Sequence, residues 1–66
     1  MKKLENWRLI GAYVVSDVVI VTIQHRESRD IFQISRPYGE LMVEVENGLT
    51  DNLIQIVLDA YNIEEL

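Results

Sequence analysis

The sequence predicts a small α+β domain, a four-stranded antiparallel β-meander followed by one C-terminal α-helix packed on one face (ββββα). Residues before Asn47 fall into four stretches rich in β-branched and aromatic side chains, and short turn-forming segments separate these stretches. After Gly48 the apolar residues recur with the period of a helix. The 66 residues are predicted to form one domain, 1–66, near the lower size limit for a self-sufficient core.

Four strands follow from the runs of Val, Ile, Thr and aromatic residues. They are predicted at residues 7–15, 18–25, 31–36 and 40–46. The segments between them, short enough for hairpin turns, are Ser16-Asp17, Glu27-Ser28-Arg29-Asp30 and Pro37-Tyr38-Gly39. Tyr38 is interpreted as a turn residue, with an exposed interface anchor as the alternative. Asn47-Gly48 is expected to end the fourth strand.

A C-terminal helix is predicted from apolar residues that share one helical face: Leu53, Ile54, Val57, Leu58 and Tyr61. Thr50 is predicted as its N-cap, and Asp51 places negative charge in the first turn. Leu49 and Ile54 have the spacing of a hydrophobic staple.

The predicted register gives the sheet one continuous apolar face for this helix to cover. A two-residue turn at Ser16-Asp17 places Val15 opposite Val18, and the next loop is taken as residues 27–30. The covered face then consists of Ile10, Ala12, Val14, Val19, Val21, Ile23, Phe32 and Ile34, with Leu41, Val43 and Val45 from the fourth strand.

The first two strands are also apolar on the opposite face, which one helix cannot cover as well. The residues there are Trp7, Leu9, Tyr13, Val15, Val18 and Ile20. We therefore predict that they form an interface, most simply in a symmetric homodimer. Two alternatives remain open: a one-residue slip at Ser16-Asp17 would exchange the faces of the first strand, or Trp7 and Tyr13 fold over a sheet edge within one chain.

Charge changes sign along the chain. Residues 1–36 carry six basic and four acidic residues, whereas residues 37–66 carry seven acidic residues and no Lys or Arg. The predicted acidic surface consists of Glu40, Glu44, Glu46, Asp59, Glu64 and Glu65. Such a surface repels phosphate backbones and anionic lipid, so direct nucleic-acid binding and membrane binding are not expected. A basic protein is the expected partner.

No catalytic residue, metal ligand or cofactor site is predicted. His25, Ser28 and Asp30 are the residue types of a hydrolytic triad, but they crowd into one turn instead of converging from separate elements. Glu44 and Glu46 alternate along one predicted strand, where a solvated face is the simpler interpretation than an acid–base pair.

Three arginines resemble the basic and aromatic mixture of single-strand binders only weakly. Phe32 lies among Arg26, Arg29 and Arg36 in the sequence, but the predicted register turns it toward the covered face. The chain contains no cysteine and no long apolar run, and the cytoplasm is the expected location.

The leading functional hypothesis is a non-enzymatic protein–protein interaction module that self-associates and binds a partner through its acidic half. The alternative is a small acidic inhibitor that imitates nucleic acid and blocks a basic groove. Charge imitation loses its partner steeply as salt rises, whereas apolar burial persists, so ionic strength separates the two hypotheses.

Overall fold

A three-stranded antiparallel sheet followed by two helices makes up residues 3–63, the part of the chain that the structure, a computed structural model, describes. The fold is α+β, with strand order β1-β2-β3. The elements are a 3₁₀ turn at Lys3–Asn6, β1 at Trp7–Val15, β2 at Val18–His25, β3 at Ile31–Pro37, α1 at Tyr38–Glu46 and α2 at Thr50–Ala60. Within this part of the chain, neither helix is long and apolar enough to span a membrane.

The predicted fourth strand at 40–46 is wrong, because these residues belong to α1. Their alternation of apolar and acidic residues suits a strand, but Leu41 and Val45 are also four residues apart, on one side of a helix. In α1, Leu41 is buried and Val45 packs on the core, whereas Val43, predicted to point inward, is exposed. Glu, Leu and Met have high helix propensity, which favours this outcome.

The predicted turn at Pro37-Tyr38-Gly39 is the beginning of α1. Pro37 occupies the N-cap position with φ −56° and ψ 140°, an extended conformation that its ring favours. The Tyr38 N–H donates a 2.7 Å hydrogen bond to the Asp17 carbonyl. The first turn of α1 is thereby attached to the β1–β2 hairpin.

Both helices end in the same hydrogen-bonded motif. After α1, Gly48 has φ +62° and the Leu49 N–H bonds the Glu44 carbonyl at 2.9 Å. After α2, Asn62 has φ +58° and the Ile63 N–H bonds the Leu58 carbonyl at 2.8 Å. These are Schellman motifs, in which a left-handed residue satisfies carbonyls that the helix end leaves unpaired.

The predicted C-terminal helix is confirmed, with one correction at its start. Leu49 occupies the N-cap position instead of Thr50, and among residues 3–63 no side chain caps the helix. Asp51 lies in the first turn as predicted. Leu53, Ile54, Val57 and Leu58 are buried, as predicted, whereas Tyr61 lies at the C-cap position and is 46% exposed.

The core lies between one face of the sheet, the covered face, and the two helices. The central strand β2 contributes the most, because Val19, Val21 and Ile23 are fully buried. The complete set of buried apolar residues is Trp7, Val19, Val21, Ile23, Ile34, Leu41, Leu53, Ile54, Val57 and Leu58. Both helices contribute to this single cluster, so the opposite face of the sheet, the open face, has no helix on it.

The register between β1 and β2 is the predicted one only next to the turn. Val15 pairs with Val18 and this register continues to Gly11, but Leu9 pairs with Ile23, so Ile10 is an extra residue in a β-bulge. An extra residue reverses the alternation of side chains. Residues before Ile10 therefore lie on the opposite face from the predicted one.

The β2–β3 turn is longer than predicted. Gln24 pairs with Ile31, whereas a loop at residues 27–30 would place Arg26 opposite Ile31. The shift is two residues, and a shift of two leaves every side chain on its original face. Phe32 and Ile34 consequently lie on the covered face, as predicted.

Two glycine substitutions test the left-handed end of α1. Gly48→Ala introduces a β carbon at φ +62° and is expected to lower the free energy of unfolding by about 1–2 kcal/mol. The control is Gly39→Ala, since Gly39 lies inside α1 and has open space around it. This variant is expected to raise stability by about 0.4–1 kcal/mol. Urea unfolding monitored at Trp7 measures both, and effects of the same sign would contradict the assignment.

Candidate functional site

The six residues predicted to form the interface divide between the two faces of the sheet. Trp7 is 5% exposed, and its ring contacts His25 at 4.8 Å and Phe32 at 5.6 Å between ring centroids. Leu9 pairs with Ile23 and packs against the core. The predicted face of Trp7 and Leu9 is therefore wrong, because the bulge turns both side chains toward the helices.

The remaining four residues form a continuous group on the open face, which we call the apolar patch: Tyr13, Val15, Val18 and Ile20. Tyr13 pairs with Ile20 and Val15 pairs with Val18, so the side chains are cross-strand neighbours. Tyr13 and Val15 are 57% and 56% exposed. The patch is at the end of the sheet that carries the Ser16-Asp17 turn.

Gly11 provides the space into which the Tyr13 ring folds. A β carbon on Gly11 would lie 2.7 Å from Cζ and from the hydroxyl oxygen of Tyr13, closer than real contacts allow. The ring therefore lies along its own strand, with one side against Gly11 and much of its surface in solvent. Such packing of an aromatic ring over a strand glycine substitutes for the missing side chain.

Polar residues bound the apolar patch. Gln33 donates a 2.8 Å hydrogen bond through its side-chain nitrogen to the Thr22 hydroxyl. This pair is the next one on the open face after Ile20 and Ser35. Ser35 pairs with Ile20 on β3. The open face is therefore apolar on the β1–β2 hairpin near its turn, whereas β3 presents Gln33 and Ser35 there, with Ile31 and Pro37 at its two ends.

The acidic residues of α1 lie at different positions around the helix. Glu40 and Glu44 are one turn apart on one side. Glu46 accepts a hydrogen bond from the Tyr38 hydroxyl, which ties the last residue of α1 to the first. This bond, together with desolvation and the charge of Glu46, raises the pKa of Tyr38 above its ordinary value.

The other predicted acidic residues belong to the second helix and to the C-terminus. Asp59 is exposed on α2 and accepts a 2.8 Å hydrogen bond from the Gln55 side chain. Glu64 and Glu65 lie outside the described residues. Within residues 3–63, the structure contains no group of three His, Asp or Glu side chains that could bind a metal ion.

The residues with triad chemistry make the hydrogen bonds of a turn, as predicted. His25 Nδ1 accepts from the backbone N–H groups of Glu27 and Ser28, at 3.3 and 3.1 Å. The Ser28 hydroxyl accepts from the Asp30 N–H at 3.3 Å. Through these two bonds the His25 ring organises the β2–β3 turn.

Sequence reasoning missed a group of basic residues at the other end of the open face. Arg8 pairs with Gln24 between β1 and β2, and Arg26 and Arg29 follow in the β2–β3 turn. The three arginines and Gln24 together line one concavity. The predicted register could not bring Arg8 to this face, because the reversal at Ile10 determines its direction.

Comparison with known proteins does not assign a function. Searches with the sequence and the structure against protein families, curated proteins and solved structures find no match. The function is consequently argued from the surfaces of the molecule.

Replacing His25 tests its role in the β2–β3 turn. His25→Phe keeps the ring contact with Trp7 but removes the acceptor for two backbone N–H groups, so we expect a loss of about 1–2 kcal/mol in stability. Amide hydrogen exchange should accelerate at Glu27 and Ser28 before it does in β2. Unchanged exchange at both amides would show that His25 does not hold the turn.

The hydrogen bond between Tyr38 and Glu46 makes stability depend on pH at the alkaline end. Since the folded-state pKa of Tyr38 is raised, its contribution is complete below the ordinary tyrosine range and is lost as pH rises through the folded-state value. Spectrophotometric titration should show an alkaline tyrosine transition that Glu46→Gln moves to lower pH. Glu40→Gln, which removes the same charge from α1, is the control and should leave that transition in place.

Proposed function

We propose that this protein is a non-enzymatic interaction module that forms a homodimer through the apolar patch. The observation that carries the proposal is that three exposed apolar side chains, Tyr13, Val15 and Val18, adjoin the half-buried Ile20 on a sheet face that no element of residues 3–63 covers. Contiguous apolar surface of this kind on a small domain is typical of association sites. The chain contains no cysteine, and disulfides are rare in the cytoplasm, which is therefore the proposed location.

A second copy of the chain is the occupant that the patch suits best. The four side chains carry no charge, so two copies can meet about a two-fold axis without placing like charges opposite each other in the contact. The residues are paired across two strands, which gives a flat surface that complements itself. Each protomer would then shelter side chains that its own helices leave in solvent.

The contact must extend beyond the apolar patch. A stable interface buries about 800 Å² on each partner, more than four side chains expose. On β3, Ser35 pairs with Ile20 and Pro37 pairs with Val18, so both adjoin the patch on the open face. We place these two residues at the rim of the proposed interface.

The helical layer, on the side away from the apolar patch, is proposed to bind a basic partner. Glu40 and Glu44 support this proposal, because they lie one turn apart on α1 and no basic residue follows Arg36 in the sequence. Self-association and partner binding would thus use opposite sides of one molecule. The two processes could then occur together.

A pair of valine-to-lysine substitutions tests the dimer. Val15 on the apolar patch and Val43 on α1 are 56% and 53% exposed, so Val15→Lys and Val43→Lys make the same chemical change at similar exposure. Burying a lysine in an apolar contact is expected to weaken self-association by about 2 kcal/mol or more, roughly 30-fold, for Val15→Lys. Val43→Lys should associate like the wild type. Sedimentation equilibrium, with a protomer mass of 7.7 kDa, measures both.

Salt provides an independent check on the same interface. Each chain carries a formal charge of −5, so screening lowers the repulsion between protomers and self-association should strengthen as NaCl rises. Two results would refute the proposal: a wild type that stays at 7.7 kDa at millimolar concentration, or equal weakening by both lysine variants.

A further inference from the structure

Three guanidinium groups gather at the end of the open face farthest from the apolar patch. Arg8, Arg26 and Arg29 line a concavity of about 310 Å³, and Gln24 completes its lining. We call these four residues the arginine cluster. It concentrates half of the basic residues of an acidic chain in one place, and no carboxylate belongs to the lining.

Arg26 is held in position by the backbone of the 3₁₀ turn. Its Nε–H donates a 2.8 Å hydrogen bond to the Glu5 carbonyl, and its backbone N–H donates one of 2.8 Å to the Asn6 carbonyl. The first bond uses the Nε–H of the guanidinium and leaves its two terminal nitrogens available. Fixing a side chain in advance lowers the entropy that a ligand must overcome to bind it.

Arg29 is positioned by the turn itself. It adopts a left-handed conformation with φ +69°, and its N–H bonds the His25 carbonyl at 3.0 Å. The Gln24 side chain donates to the Arg29 carbonyl at 3.3 Å, which links the cluster across the base of the turn. The two turn arginines are therefore attached to a closed, hydrogen-bonded loop.

The arginine cluster forms no ion pair with residues 3–63. The Arg26 side chain bonds a neutral carbonyl, and Arg8 and Arg26 also line an adjoining cavity to which Glu5 and Asp51 belong. The concavity of the cluster itself has no carboxylate in its lining. Three like charges lining this concavity repel one another, and an anion bound among them removes that repulsion.

We propose that the arginine cluster binds a phosphate group, either inorganic phosphate or a phosphate monoester. At pH 7 a phosphate monoester carries a charge of about −1.5 to −2 on three terminal oxygens, which matches several guanidinium forks, whereas a single fork suffices for a carboxylate. The lining contains no aromatic ring on which a base could stack. The site accordingly recognises the phosphate group itself, and the group comes from a small phosphate ester or from a phosphorylated side chain.

Titration of the full-length chain with inorganic phosphate tests the proposal. At constant ionic strength set with NaCl, NMR spectra of ¹⁵N-labelled protein should show saturable shifts at the Gln24 amide and at Nε of Arg26 and Arg29. Acetate at the same ionic strength should bind at least about 10-fold more weakly, because it offers fewer charge-assisted hydrogen bonds. A response to phosphate no greater than that to acetate would overturn the proposal.

Variants that each remove one positive charge distinguish a defined phosphate site from general electrostatic attraction. Arg8→Gln and Arg29→Gln should each weaken phosphate binding by about 10-fold or more. Arg36→Gln removes the same charge from β3, outside the cluster, where its guanidinium bonds the Ser35 carbonyl, and should change binding less than about 2-fold. The same spectra report whether each variant is folded. Equal losses in all three would show attraction to net charge alone and would refute the site.

Two phosphate esters identify the source of the group. O-Phosphoserine represents a phosphorylated side chain and AMP a small phosphate ester, with serine and adenosine as the controls that lack phosphate. Tighter binding of O-phosphoserine assigns a modified protein, and tighter binding of AMP assigns a small ester, and either result supports the site. If serine or adenosine binds as well as its phosphorylated form, the phosphate group is not what the cluster recognises.

Discussion

Ile10 has no partner on β2, and this one extra residue reverses the alternation of side chains along β1. Before the bulge, Trp7 and Leu9 face the helices, where full burial of a large apolar side chain stabilises a fold by about 2–3 kcal/mol. After it, Tyr13 and Val15 face away from the helices and stay in solvent. Without the bulge the side chains of Trp7 and Leu9 would point away from the core. The core and the open face are therefore consequences of one irregularity in pairing.

The bulge also explains why two different surfaces share the open face. Arg8 lies one residue from Trp7 and so points to the open side, where it meets the turn arginines, while the strand after Gly11 presents apolar side chains on that same side. The β2–β3 turn depends on His25, whose ring contacts Trp7 and whose Nδ1 accepts two turn amides. Packing in the core thus fixes the loop that carries Arg26 and Arg29. His25 therefore connects the core to the proposed phosphate site.

The three strands and α2 could be predicted because their residue types and their periodicity agree with each other. Residues 40–46 could not, since Leu41 and Val45 fit an inward strand face and a helix face equally well. Tertiary contacts decide between strand and helix. In the helix Leu41 packs against the sheet, and Pro37 begins α1 beside the β1–β2 turn. The bulge has no comparable signal in the sequence, and the faces of two of the six predicted interface residues, Trp7 and Leu9, depended on it. The open face of the other four followed from the pattern, whereas the arginine cluster did not.

The two proposed surfaces restrict how copies of the chain can meet. The apolar patch is near the Ser16-Asp17 turn, and Arg8 is seven residues from Val15, about 20 Å along the strand. If two open faces stack with their strands parallel, the arginine clusters lie opposite each other and six guanidinium groups repel across the interface. If the strands run antiparallel and the apolar patches overlap, the two clusters lie at opposite outer ends and remain open to solvent. In the proposed dimer, repulsion between the clusters would favour the antiparallel arrangement, which would leave the proposed phosphate sites open to solvent.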